Sequence, residues 1–102
     1  MKKKKLFAKI TETLKKHKQE LAEKYKIKEI GIFGSYVRGE QKRRSDVDIF
    51  VDFDNKDIPD LLTLIEIEIY LEKLLKKKVD LGLKRSIRKE LKEQIMKEAV
   101  YL

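Results

Sequence analysis

The chain has no cysteine in its 102 residues. Disulfides, thiolate nucleophiles and cysteine-based zinc sites are therefore excluded. His17 is the only histidine, and it lies far along the chain from the acidic motif described below. No apolar run approaches the ~20 residues needed to span a bilayer. Lys2 to Lys5, ahead of Leu6-Phe7-Ala8, begin like the basic end of a signal peptide. Lys9 and Glu12 then interrupt any apolar segment, so the expected location is the cytoplasm. Aromatic residues make up only 8% of the chain and do not interleave with its basic residues, as they would on a base-stacking platform.

What is abundant is charge. Twenty-six Lys and Arg stand against 18 Asp and Glu, a formal net charge of +8. That balance favours anionic partners: nucleic acid, nucleotides or an acidic protein. Much of the excess is lysine spread along helical segments. A chain this short makes one domain with one modest core. We expect 1–102 to be that domain, an N-terminal helix over 1–24 and a core over 25–102. It has little room for a separate acceptor-binding domain, so a second molecule is expected to complete the site or supply the substrate.

The informative stretch is 30–53. An apolar run, Ile30-Gly31-Ile32-Phe33, ends in Gly34-Ser35. A polar turn region follows, and Asp46-Val47-Asp48 opens a second apolar run. Residues i and i+2 of a strand share a face. Asp46 and Asp48 then lie side by side, while Val47, Ile49, Val51 and Phe53 point the other way. Carboxylates this close repel unless a cation sits between them. Their hard oxygens suit Mg²⁺, which takes few protein ligands and keeps waters or phosphates. A glycine turn and the amides that follow it can cradle phosphate oxygens, with the Ser35 hydroxyl as a further donor. The bland alternative is a solvated Asp48 on an edge strand, with Asp46 merely ending the turn.

Gly34-Ser35-Tyr36-Val37-Arg38-Gly39, followed by Ser45-Asp46-Val47-Asp48-Ile49, resembles the motif pair of the nucleotidyltransferase superfamily related to DNA polymerase beta. The chain is most similar to its small single-domain branch, the minimal nucleotidyltransferases. Some members of that branch are antitoxins paired with HEPN-domain toxins. The resemblance runs from about Tyr25 to Leu102 and implies an α/β fold, a small mixed sheet packed against helices.

The rest of the chain fits that order. Phe7, Ile10, Leu14, His17 and Leu21 form one stripe of a helix over 4–24. His17 reads as a partly buried helix histidine. Lys2 to Lys5 are either a solvated end or phosphate contacts. The first strand covers 29–33. Ser35 is expected to cap a short helix that Gly39 ends. Arg38 either reaches a phosphate or ties loops together by a salt bridge. Lys42, Arg43 and Arg44 form a solvated turn or steer a polyphosphate toward Asp46. The second strand covers 46–53. Asp52 shares the parity of Asp48 but lies about 6–7 Å further on, too far for the same metal, and is expected to face solvent. Asp57, with Asp60 as its capping-box acid, is expected to start a helix over 58–76. That helix is apolar over more than half its surface, as if buried on two sides, one of them against the first helix or another subunit. A strand over 79–83 carries Asp80, and Ser86 is expected to cap a last helix on which Ile87, Leu91, Ile95 and Ala99 form the stripe. Arg88 reads as a surface residue or a phosphate contact.

By resemblance, Asp46, Asp48 and Asp80 are the catalytic and metal-binding acids, and Gly34, Ser35 and Arg38 contact the nucleotide. The implied reaction is Mg²⁺-dependent transfer of AMP from ATP to a protein hydroxyl, a tyrosine of a cognate HEPN toxin, with two ions in the active complex. The residues alone leave two rivals open. One is a non-catalytic antitoxin that masks its partner through the 58–76 helix. The other is a nucleic-acid-binding module using the net charge and the Lys42–Arg44 loop. Self-association is also compatible with the wide apolar helix.

Overall fold

The computed structural model describes residues 2–102, with side chains from Lys4 onward. Helix α1 spans Lys2–Tyr25. The expectation for the first lysine run therefore falls partly outside the described side chains. Lys4 and Lys5 are exposed. Ile10, Leu14 and Leu21 are buried at the expected helical spacing, with His17 half-buried among them. The helix stops at Lys26, which takes a left-handed φ of 64°.

Strand β1 is Glu29–Phe33, and the single turn of α2 is Ser35–Arg38. Strand β2 is Val47–Asp52, helix α3 is Leu61–Leu75, and strand β3 is Val79–Leu83. Helix α4 is Lys89–Glu98 and strand β4 is Val100–Tyr101. The sheet order is β3-β2-β1-β4. β2 and β4 run antiparallel to β1, while β3 runs parallel to β2. The result is the mixed sheet with helices that the sequence implies.

The sheet has two faces of different character. Val47, Ile49 and Val51 share one face with Ile30 and Ile32, and all are buried. They join Ile10, Leu14 and Leu21 of α1 and Ile67, Leu71 and Leu75 of α3 in a single cluster. Phe50, of the same parity as Asp48 and Asp52, is also fully buried but lies outside that cluster. Its ring lies directly over Gly31, where a Cβ would come within 2.3 Å of it. Phe33 and Tyr101 flank it at ring-centroid distances of 6.0 and 5.3 Å. Burying such a ring is worth about 1.5–3 kcal/mol. It anchors the acid-bearing strand from the acid-bearing face.

Four local expectations are corrected. Asp57 does not cap α3. It sits in a 3-10 turn, Asn55–Asp57, and Asp60 is the cap, accepting from Thr63 N at 2.8 Å. The cause is Pro59, which disfavours helical backbone at the residue before it. Ile58 is accordingly extended, with ψ 120°. Ser86 likewise lies in a 3-10 turn, Lys84–Ser86, and Arg88 occupies the position before α4. Ser35 forms no side-chain cap, and Gly34 stands at the N-cap of α2. The last helix is shorter than its stripe implies, with Ile87 and Ala99 outside it, and the chain beyond it pairs with β1 through β4, Leu102 N donating to Ile30 O at 3.0 Å.

The wide apolar set of α3 is not covered on both sides. Ile67, Leu71 and Leu75 face the core. Ile58, Leu61, Leu62, Ile65 and Ile69 form an outward stripe, with Leu61 and Leu62 72% and 73% exposed. No helix among the described residues is long and apolar enough to cross a membrane.

Candidate functional site

The site is built at one end of the sheet, where β1 finishes and β2 and β3 begin. Antiparallel pairing places Phe33 opposite Asp48. Gly34 follows with φ 80°, a region that disfavours side chains. A Cβ on it would fall 2.1 Å from Asp48 Oδ2. Only glycine lets the backbone approach this carboxylate so closely. Val37 N and Arg38 N then donate to Gly34 O at 3.1 and 3.2 Å, winding the turn of α2. Gly39 ends it with φ 71°.

The loop back to β2 is held by its own hydrogen bonds. Lys42 N donates to Ser45 Oγ at 2.8 Å, and Ser45 N donates to Lys42 O at 3.0 Å. Tyr36, buried beneath the loop, donates through its hydroxyl to Ser45 O at 3.4 Å. This turn delivers Asp46, which is exposed and immediately precedes β2. Val47 N donates to Lys78 O at 2.9 Å, joining the start of β2 to the chain entering β3.

Asp48 is half-buried, and its parallel register partner on β3 is Asp80, which is exposed. Burial, followed by the charges of Asp80 and Asp46, pushes the Asp48 carboxyl up to about 6, and Arg38 offsets part of this. The charges of Asp80 and Asp46 thus both reach Asp48. No group of three or more acids, histidines or cysteines among the described residues closes into a metal cage. A pair of carboxylates with open positions beside it suits Mg²⁺, which keeps waters or phosphate oxygens. A cation there would relieve the repulsion that Asp48 feels.

Other acids and bases have structural duties. Asp52 does not simply face solvent. It pairs with Arg85 at 2.9 Å, and Arg85 also donates to Asn55 Oδ1 at 2.9 Å and to Phe53 O. Arg85 carries no signal in the sequence, because its partners lie some 30 residues away. Arg38 is held by Glu40 at 2.7 Å and by Glu98 of α4 at 2.9 Å. That is the loop-tying role. His17 Nδ1 lies 2.9 Å from Thr13 O within its own helix. Arg88 is exposed at the start of α4.

A glycine turn pressed against Asp48, with Asp46 two residues before it and Asp80 in register beside it, makes this end of the sheet the candidate site. The chain matches the nucleotidyltransferase domain family over residues 14–102, belongs to that family, and is an enzyme of its class. It is 50% identical over 93 residues to the protein adenylyltransferase MntA of Thermococcus cleftensis, spanning 91% of this chain and 92% of that one. Two solved structures share the fold. One is a toxin–antitoxin crystal structure with AMP-PNP, 30% identical with TM-score 0.67, matched over 93% of this chain and 70% of that one. The other holds a tri-AMPylated HEPN toxin of Shewanella oneidensis in complex with an MNT antitoxin, 25% identical with TM-score 0.59, matched over 97% and 70%.

Proposed function

We propose that this chain is a Mg²⁺-dependent adenylyltransferase that moves AMP from ATP onto a tyrosine hydroxyl of a cognate HEPN-type toxin and so acts as its antitoxin. The observation that carries the reading is the close approach of Gly34 to Asp48, which sets the Gly34-Ser35 turn directly against a carboxylate. The 50% identity to a named protein adenylyltransferase supports the protein acceptor. The AMP-PNP and tri-AMPylated toxin relatives support ATP and a HEPN partner.

In this mechanism Gly34 and Ser35 hold phosphate oxygens of ATP. Asp46 and Asp48 would hold Mg²⁺, with Asp80 completing a second position. Bound there, the ions supply charge neutralisation at the phosphates and the attacking oxygen. The tyrosine oxygen attacks the α-phosphorus, and Asp80 accepts the hydroxyl proton. The bond from the α-phosphorus to its bridging oxygen breaks, and pyrophosphate leaves with the electron pair. Alignment and electrostatic stabilisation account for most of the rate. The test is transfer of labelled AMP from ATP to a purified HEPN-type partner. Label on the partner's tyrosine, lost in Asp46→Asn with Asp48→Asn, is expected. No label with any such partner, and no Mg²⁺-dependent ATP binding, would sink the reading.

A second reading is favoured by one observation, the exposed stripe of α3. In it the protein silences a partner by contact alone. The same double variant separates the two: a contact-only antitoxin still protects cells from the partner, whereas an adenylylating one does not.

A further inference from the structure

Phe50 has a glycine on each side of it across the sheet. Its register partner on β1 is Gly31, and its partner on β3 is Gly82. The ring leans over Gly31, where a Cβ would come within 2.3 Å of it. Gly82 is left bare. A Cβ there would meet no described heavy atom within 4 Å, its two chain neighbours aside. Leu81 and Leu83 pack against the core, so the open space lies on the opposite, acid-bearing face of the edge strand β3.

Glycine inside a strand marks a bulge, a tight bend, or the close approach of a ligand or another backbone. The first two do not apply. The pairing of β2 with β3 runs unbroken from Val47 with Val79 to Val51 with Leu83. Gly34 and Gly39 are the glycines with left-handed backbone, and Gly82 is not among them. A β-branched residue would suit this strand better than glycine does. Close approach remains, and no described side chain makes it.

The position narrows what approaches. Gly82 lies two residues beyond Asp80 on the same face, about 6–7 Å along the strand. Side chains stand roughly perpendicular to a sheet, so the exposed Asp80 carboxylate rises at one end of the bare patch. A flat ring resting on the backbone at van der Waals height, about 3.5–4 Å, is level with that carboxylate. A phenol ring spans the distance from Gly82 to Asp80. A serine or threonine hydroxyl stands one bond from its Cβ and does not. The nucleoside triphosphate fits less well, because the Gly34 turn adjoins Asp48 from the β1 side and the patch lies past Asp80 on β3. A partner strand would pair along the edge of β3 and leave this face open.

We propose that the bare backbone at Gly82 seats the aromatic ring of the acceptor, a phenol whose hydroxyl is presented to Asp80, so that Gly82 is a specificity-determining residue for transfer. The inference rests on the nucleotidyl-transfer reading and adds to it a physical reason for a tyrosine acceptor. Phe50, locked over Gly31, bounds the seat on the β2 side, and Asp80 closes one end.

The test uses the full chain and two variants, Gly82→Ala and Gly82→Val. The added methyl of Ala meets nothing and Val suits a strand, so each variant should have a Tm no lower than that of the unaltered protein. Calorimetry measures Mg²⁺-dependent ATP binding and, separately, binding of a purified HEPN-type partner. Labelled AMP transfer to the partner's tyrosine is followed over a range of partner concentrations. The expected result is a loss of at least tenfold in kcat/KM with Gly82→Val and a smaller loss with Gly82→Ala, while both affinities change less than threefold. Unchanged transfer by Gly82→Val overturns the proposal. So does a matching loss of ATP affinity, which would give the patch to the nucleoside, or of partner affinity, which would make it a docking surface only. A Tm lowered in both variants also overturns it, by making glycine a requirement of the strand. If the unaltered protein binds no ATP and transfers no label, the nucleotidyl-transfer reading itself fails. If it transfers label and Gly82→Val does so equally well, only the Gly82 assignment fails.

Discussion

Gly34 and Asp48 occupy space that only one side chain can fill. The Cβ that Gly34 lacks would stand 2.1 Å from Asp48 Oδ2, and the Gly34 backbone already has φ 80°. Gly34→Ala should therefore displace the carboxylate and strain the turn together. The expected cost is about 1–3 kcal/mol of stability, read as a lower Tm. AMP transfer should fall even at temperatures where the variant is fully folded. Normal transfer by a folded Gly34→Ala would mean that Asp48 can move without consequence.

Asp80 tests the chemistry more than the fold. It is exposed on β3, so Asp80→Asn should fold normally and still bind ATP with Mg²⁺. Transfer should drop by roughly two to four orders of magnitude, the range for loss of a general base. A binding titration run beside a labelled transfer assay separates the two effects. Near-normal transfer would remove Asp80 from the mechanism.

The Asp48 carboxyl, pushed up to about 6 by burial and by Asp80 and Asp46, makes a signed pH prediction. That value lies above the ordinary aspartate value of 3.8, so the folded state holds the proton more tightly than the unfolded chain does. Without metal, stability should fall as pH rises from about 4 to about 6, then level off for this group. After discounting for solvent screening, the effect is on the order of 1–2 kcal/mol. Asp48→Asn should remove this dependence and raise metal-free stability at pH 7. Mg²⁺ affinity should rise through the same window as the carboxylate ionises. Urea titrations at several pH values, with EDTA and with Mg²⁺, measure both slopes.

Asp52 and Arg85 give a control outside the chemistry. Arg85→Ala removes the pairing of β2 with the 3-10 turn after β3 and should cost about 1–2 kcal/mol. Mg²⁺-dependent ATP binding should persist at temperatures where the variant is folded. A selective loss of metal binding would place Asp52 among the metal acids.

Much of this arrangement is legible in the amino-acid sequence. Alternation reveals β1, β2 and β3, the spacing of Asp46 and Asp48 puts them on one face, and the strand register then sets Asp48 against the Gly34 turn. The failures have local causes. Pro59 moves the start of α3 past Ile58, and a two-residue strand such as β4 has no periodicity to detect. Phe50 carries no polar mark, so its fit over Gly31 depends on a cross-strand contact that apolar patterning does not reveal. The Asp52–Arg85 pair joins separate elements. The opposite error falls on α3, where a high apolar content suggests burial and the stripe through Leu61 and Leu62 is exposed.

The order in which the strands pair has a consequence for how the site comes together. Gly34 directly follows β1, and Asp48 lies on the adjacent antiparallel β2, reached through α2 and the loop after it, so their contact closes a shorter stretch of chain than the crossover to β3 does. Asp80 reaches Asp48 through the β2–α3–β3 crossover, a longer loop with a larger closure entropy. The approach of Gly34 to Asp48 is thus local in the chain and the register of Asp80 with Asp48 remote, so the entropic cost of bringing the three together falls mainly on β3.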